Sequence, residues 1–289
     1  MTRAQASWAG FGAIALWAAL AFLTAASGRV PPFQLAAMTF ALGTLLGLVA
    51  MAVRGTWSAL IQPWPVWALG IVGLFGYHAL YFAALKWAPP AESATISALW
   101  PLLIVLFSAF LPGERIKLIH VAGAILGFAG VVVLGWSRMG ASGFSAAYLP
   151  GYAAALACAF VWSGYSVLSR LFGSVPTDAV TGFCAVTALL SVPSHFLFEQ
   201  TVIPQGTEWV AIIALGLGPV GAAFYIWDMG MKHGDIRLLG VLSYAAPVLS
   251  TCLLIATGFA SADAALLGAV VLIVAGALIA SSDRLRFKA

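Results

Sequence analysis

Ser97-Ala98-Leu99-Trp100-Pro101 sits inside an apolar run at 90–111, and Ser243-Tyr244-Ala245-Ala246-Pro247 sits inside another at 236–258, 146 residues further on. A proline within such a helix removes a rung of the i to i−4 ladder and bends the helix there. The same bend met twice in one register points to a duplicated chain. The register extends outward at an offset of 145 to 146: Val30-Pro31 returns as Val175-Pro176, Trp17 as Trp162, Leu69-Gly70 as Leu215-Gly216 and Lys86 as Lys232. Gly123-Ala124 returns as Gly268-Ala269 and Gly130 as Gly276. Single matches are cheap in a chain rich in Ala, Gly and Leu, but Trp, Pro and Lys pairs in one register are not.

Of the 289 residues, 63% are hydrophobic and 8% charged, with a mean hydropathy of +1.04, which excludes an ordinary soluble domain. Breaks at Gly, Pro and charge divide the chain into ten runs, at 7–26, 32–53, 64–86, 90–111, 118–137, 148–171, 178–198, 208–230, 236–258 and 263–281. Each is long enough to cross the hydrocarbon as a helix. Five spans per copy is an odd number, so the second copy enters the bilayer from the opposite face. The expected fold is an all-α membrane protein of ten transmembrane helices, two inverted five-helix repeats at 1–140 and 141–289 around a central cavity. Ten loop or terminal basic residues (Arg3, Arg54, Arg115, Lys117, Arg170, Lys232, Arg237, Arg284, Arg286, Lys288) fall on one side and Arg29, Lys86 and Arg138 on the other. The positive-inside rule then puts both termini in the cytoplasm. The first run has no convincing small-residue cleavage site and is read as a retained helix. Trp8, Trp64, Trp67, Trp87 and Trp209, near run ends, read as anchors at the membrane interface.

A net charge of +4 from scattered basic residues offers no patch for a nucleic acid backbone. Cys158, Cys184 and Cys252 lie inside apolar runs, where small buried thiols are commonplace. The chain has no HExxH, no Gly-x-Ser-x-Gly, no phosphate-binding Gly-Lys-Ser/Thr loop, no TVGYG-like filter and no asparagine, so catalysis, ATP hydrolysis, a metal or cofactor, and a water or ion channel gain no support. Inverted repeats around a midplane site are the architecture of secondary transporters, because the halves can exchange conformations and open the site to each side in turn.

Gly113-Glu114-Arg115-Ile116 followed by the glycine-rich fifth run (Gly123, Gly127, Gly130), the mid-run Trp17 and the proline of the fourth run resemble the EamA-type repeats of the drug/metabolite transporter superfamily. Length, tryptophan richness and the aromatic segment of runs three and four resemble, more narrowly, the YddG-type aromatic amino acid exporters of bacterial inner membranes. The second copy carries Ser261-Ala262-Asp263 where the first has the Gly-Glu loop. The resemblance implies a cavity surrounded by helices 1, 3, 4, 6, 8 and 9.

Polar and aromatic residues at mid-depth fall on those six runs. His78 and Tyr81, and likewise Ser97 and Trp100, share a helix face at i, i+3. Trp17, Trp162, Tyr165, Tyr225, Ser243 and Tyr244 complete the candidate substrate-binding set. His78 is the imidazole deepest in a span: it either donates to a substrate carboxylate or titrates, or is a neutral ring satisfied by a backbone carbonyl. The tryptophans either stack an aromatic substrate or pack helices. Pro101 and Pro247 read as hinges or as static kinks, and Asp228 as a gating or coupling group or as a surface pair with Lys232 four residues on. Lys86 reads as a snorkelling side chain that Glu92 can pair with across the short turn. Gly123 and Gly127, and Gly268 and Gly276, read as close-packing faces.

These readings converge on a monomeric secondary transporter in the bacterial inner membrane, exporting aromatic and large apolar amino acids by alternating access, with helices 4 and 9 narrowing opposite ends of the cavity. The alternatives are a multidrug or other metabolite exporter, which for organic cations needs a midplane carboxylate that the sequence lacks, and, from a different class, a lipid flippase or an intramembrane enzyme.

Overall fold

The computed structural model describes residues 1–114, 116–137, 144–257 and 263–285. Arg115, Arg138, Arg286, Lys288, Ser261-Ala262 and the expected repeat junction at 140/141 lie outside the described residues. The regular structure described is helical. The helices are α1 (Arg3–Ala26), α2 (Pro32–Arg54), α3 (Trp64–Trp87), α4 (Pro90–Phe110), α5 (Leu118–Trp136), α6 (Ala146–Phe172), α7 (Thr177–Phe198) and α8 (Thr207–His233). They continue as α9, in two segments (Ile236–Leu242 and Ala245–Ala256), and α10 (Ala264–Leu285). Among the described residues nine helices, α1 to α9, are long and apolar enough to cross a membrane, and the apolar stretch of the tenth, Ala264–Ala280, is shorter.

The helix starts follow local chemistry. Pro32, Pro65 and Pro90 occupy the first turns of α2, α3 and α4, where a missing N–H costs nothing. Pro101 and Pro247 act four residues upstream, because each ring excludes the carbonyl at i−4, that of Ser97 or Ser243. The chain responds with turns at Ala98-Leu99 and Ser243-Tyr244, so α4 and α9 break just before their prolines.

Packing follows the duplication. The first helix of each half packs on the third helix of the other, α1 on α8 and α6 on α3, while α2 pairs with α7 and α5 with α10. The α5–α10 pair is antiparallel and very close: a Cβ added to Gly123 would lie 2.5 Å from the Gly276 carbonyl oxygen, and one added to Gly276 equally close to that of Gly123. Gly268, by contrast, meets only Val133, at 3.7 Å. Trp8, Trp64, Trp87 and Trp209 are exposed near helix ends. Trp67 instead packs edge-on against Phe183, ring centroids 5.7 Å apart, because it sits one turn inside α3, where α7 covers it.

Candidate functional site

Two π-helical turns, Val72–Gly76 in α3 and Gly218–Ala222 in α8, occupy repeat-equivalent positions. Such a turn widens the helix and releases backbone carbonyls from the ladder, a feature common at functional sites. Each supplies an acceptor here. His78 Nδ1 lies 2.7 Å from the Leu74 carbonyl oxygen, and a carbonyl only accepts, so Nδ1 carries the proton. The neutral ring is left with Nε2 as an acceptor. Trp17 Nε1 donates to the Pro219 carbonyl at 3.0 Å, which pins the indole of α1 on the widened turn of α8.

Around these anchors lies a cavity of about 580 Å³. Trp17, Tyr77, His78, Tyr81, Trp100, Trp162 and Phe224 make an aromatic lobe, and Thr95, Val131, Leu134, Pro247, Ser250 and Thr251 make a second lobe between α4, α5 and α9. The lining runs towards Leu20, Ala21, Pro90 and Ala91, the ends of α1 and α4 remote from Arg3, which form the mouth. No carboxylate or lysine lines it among the described residues. Below, Trp17 meets Trp227 at 5.0 Å and Trp162 at 5.7 Å. Trp227 is 1% exposed and donates its Nε1 to Ser166 Oγ at 3.1 Å, closing the floor.

Of the sequence candidates, Trp17, His78, Tyr81, Ser97, Trp100, Pro101, Trp162, Ser243, Tyr244 and Pro247 line this cavity. The Ser97 and Ser243 hydroxyls, however, donate to their own helices, to Ala94 O at 3.1 Å and Leu239 O at 2.7 Å. Tyr244 OH accepts from the Leu102 N–H at 3.0 Å and so caps the second segment of α4. Three candidates lie away from the cavity. Tyr165 is buried below Trp162, its hydroxyl without a hydrogen-bond partner among the described residues. Tyr225 OH donates to Gly43 O at 3.0 Å and contacts Thr181 Oγ1 at 3.2 Å, tying α8 to α2 and α7.

Asp228 does pair with Lys232, 2.8 Å apart, but the pair is buried rather than on the surface. Thr177 Oγ1 donates to Asp228 at 2.7 Å and Lys232 Nζ donates to the Val175 carbonyl at 3.0 Å, because the segment joining α6 and α7 folds over the end of α8. Glu92 does not pair with Lys86. It is buried and accepts a hydrogen bond from Tyr152 OH of α6, while Lys86 is exposed. Tyr77, Phe224 and, Pro247 apart, the residues of the second lobe were not among the sequence candidates. Tyr77 was findable one position before His78, whereas the second lobe, built from apolar and hydroxyl residues on α5 and α9, carries no sequence signal.

The end opposite the mouth is closed by charge. Glu114, from the Gly-Glu loop after α4, accepts from Arg170 Nη2 at 2.9 Å and lies 3.5 Å from both Arg3 and Arg237. Arg170 Nη1 also donates to the carbonyls of Met231 and Gly234, each at 2.9 Å. One carboxylate thus gathers α1, the α4–α5 loop, α6 and the first segment of α9.

Two five-helix units with repeat-equivalent π turns and breaks, closed at one end and open at the other, set the chain beside known proteins. Residues 5–136 and 149–282 each match the profile of the EamA-like transporter family. The chain belongs to that family. Among EamA-like relatives it is 60% identical over 282 residues, 97% of this chain and 98% of the other, to the aromatic amino acid exporter YddG of Ancylobacter novellus. It is 24% identical to YddG of Escherichia coli, covering 88% of each chain, and 27% identical to the pseudopaline exporter CntI of Pseudomonas aeruginosa, covering 78% of this chain and 77% of that one. A protein of known crystal structure, 58% identical, superposes with a TM-score of 0.96 over the whole of both chains.

Proposed function

We propose that this EamA-family transporter exports aromatic and large apolar amino acids across the bacterial inner membrane by alternating access, as a monomer without a cofactor or catalytic step. The observation that carries the reading is the aromatic lobe with one polar atom of defined sense. Trp17, Trp100, Trp162 and Tyr81 supply faces and edges for an indole or phenyl ring, and His78 Nε2 is an acceptor, since Nδ1 is spent on Leu74. A substrate ammonium or N–H is therefore what His78 receives in its neutral form, whereas donation to a carboxylate would need the imidazolium. The hydroxyl oxygens of Ser97 and Ser243 keep lone pairs for the same ammonium. An organic cation would find no carboxylate in this lining, which favours zwitterions over multidrug cations. The 60% identity to an aromatic amino acid exporter supports the same substrate class.

In this reading all ten helices span the membrane, the repeats divide near 140/141, and both termini are cytoplasmic. The Glu114 network then closes the cytoplasmic end, the mouth faces the periplasm, and the kinked α4 and α9 narrow the two ends in turn. The test is counterflow of labelled tryptophan, phenylalanine, glycine and an organic cation in proteoliposomes, for wild type and for His78→Ala and Trp100→Ala. Saturable tryptophan and phenylalanine flux, reduced in both variants, is the expected result. Cation flux alone, or amino acid flux indifferent to both substitutions, overturns the assignment.

A further inference from the structure

The two halves are alike in sequence but unlike in what they close. At the shut end, Gly240 of the first α9 segment rests against the second α4 segment: a Cβ there would lie 3.2 Å from the Pro101 carbonyl oxygen and 2.8 and 3.3 Å from Val105 Cγ2 and Ile104 Cγ2. At the same end of the bundle, Lys232 straps the end of α8 to the Val175 carbonyl. In the repeat register Gly240 corresponds to Ala94, Pro101 to Pro247, Ile104 to Ser250, Lys232 to Lys86 and Val175 to Val30. Ala94, Pro247 and Ser250 line the open cavity, and both Ala94 and Lys86 are exposed.

We propose that the mouth closes by the same contact transposed: Ala94 seats on the Pro247 carbonyl beside Ser250, and Lys86 reaches the Val30 carbonyl. Side-chain volume supports the transposition. The seat that is Gly240 against Ile104 at the shut end is Ala94 against Ser250 at the mouth, so the methyl gained on one helix is matched by bulk lost on the other, as close packing requires. The strap is weaker at the mouth. Asp228, which holds Lys232, has Phe82 as its counterpart, and Tyr244, which caps the second segment of α4 from the cavity wall, has Ala98. Fewer polar ties at the mouth agree with its standing open in this structure.

The proposal rests on the transporter reading in requiring alternation, and the joining of two thiols across the mouth reads it apart from which substrate is carried. Ala94→Cys with Ser250→Cys is made in a Cys252→Ser chain, since Cys158 and Cys184 are buried, and is kept in membrane vesicles. Both thiols are expected to react with a water-soluble methanethiosulfonate, and copper phenanthroline is expected to join them, stopping flux until a reductant restores it. Reactive thiols that never join, in vesicles that still transport, overturn the proposal. Ala94→Leu provides a second readout: over-filling the seat is expected to slow flux by about tenfold or more while tryptophan binding persists, and wild-type flux in this variant overturns the proposal as well.

Discussion

Replacing His78 by leucine removes the ring nitrogen whose sense as an acceptor is set by the Leu74 carbonyl, and the consequence can be sized. A hydrogen bond to a charged group is worth about 1.5–3 kcal/mol, or about 10- to 150-fold in affinity. An aromatic wall contact of the kind Trp100 makes with Trp17 and Trp162, at 6.4 Å in each case, is worth only about 0.5–1.5 kcal/mol beyond burial. His78→Leu is therefore expected to weaken tryptophan more than Trp100→Phe does. The sense of the bond is read by analogues competing with labelled tryptophan in proteoliposomes. Tryptamine keeps the ammonium and should lose affinity in His78→Leu as tryptophan does. Indole-3-propionate keeps only the carboxylate and should bind both proteins alike, the coupling expected of a pair that interacts directly. The reverse pattern, with indole-3-propionate weakened and tryptamine untouched, would show an imidazolium donating to the carboxylate and refute the reasoning from Leu74.

Three further outcomes are expected. Asp228→Asn leaves Lys232 buried without its counter-charge and should cost about 3–5 kcal/mol, whereas Asp228→Asn with Lys232→Met should recover much of it; thermal unfolding in detergent that ranks the double variant with the single one counts against a buried pair. Gly123→Val forces α5 from α10 and should abolish the monodisperse peak in size-exclusion chromatography, while Gly268→Val, whose Cβ would meet Val133 Cγ1 at an ordinary 3.7 Å, should leave that peak intact. Trp17→Phe strands the Pro219 carbonyl and should cost about 1–3 kcal/mol, seen as a lower unfolding temperature.

Much of the scaffold was legible because it obeys local rules. Apolar runs bounded by Gly, Pro and charge predicted helices at 64–86, 90–111 and 118–137, which stand as Trp64–Trp87, Pro90–Phe110 and Leu118–Trp136. Pro101 and Pro247 marked the broken helices to within a turn, the displacement being the reach of a proline ring to the carbonyl at i−4. The site was legible in part. Helical spacing puts Trp162 and Tyr165 on one face, yet only Trp162 lines the cavity, because spacing sets direction and not depth. The Asp228–Lys232 pair followed from i, i+4 spacing, but its burial did not, since that depends on the α6–α7 segment crossing the end of α8.

By itself the sequence determined a membrane-type, all-helical, duplicated chain with two proline-broken helices and aromatic residues at mid-depth. These are consequences of composition, periodicity and register, which act within one helix or between copies of one pattern. Only the tertiary structure decided which end is shut, which carbonyls the π turns release, and the sense of the His78 hydrogen bond. The two halves carry nearly the same pattern, so local chemistry leaves both ends equivalent. Glu114 gathering Arg3, Arg170 and Arg237, and Tyr244 capping α4, join residues remote in sequence, and those contacts break the symmetry.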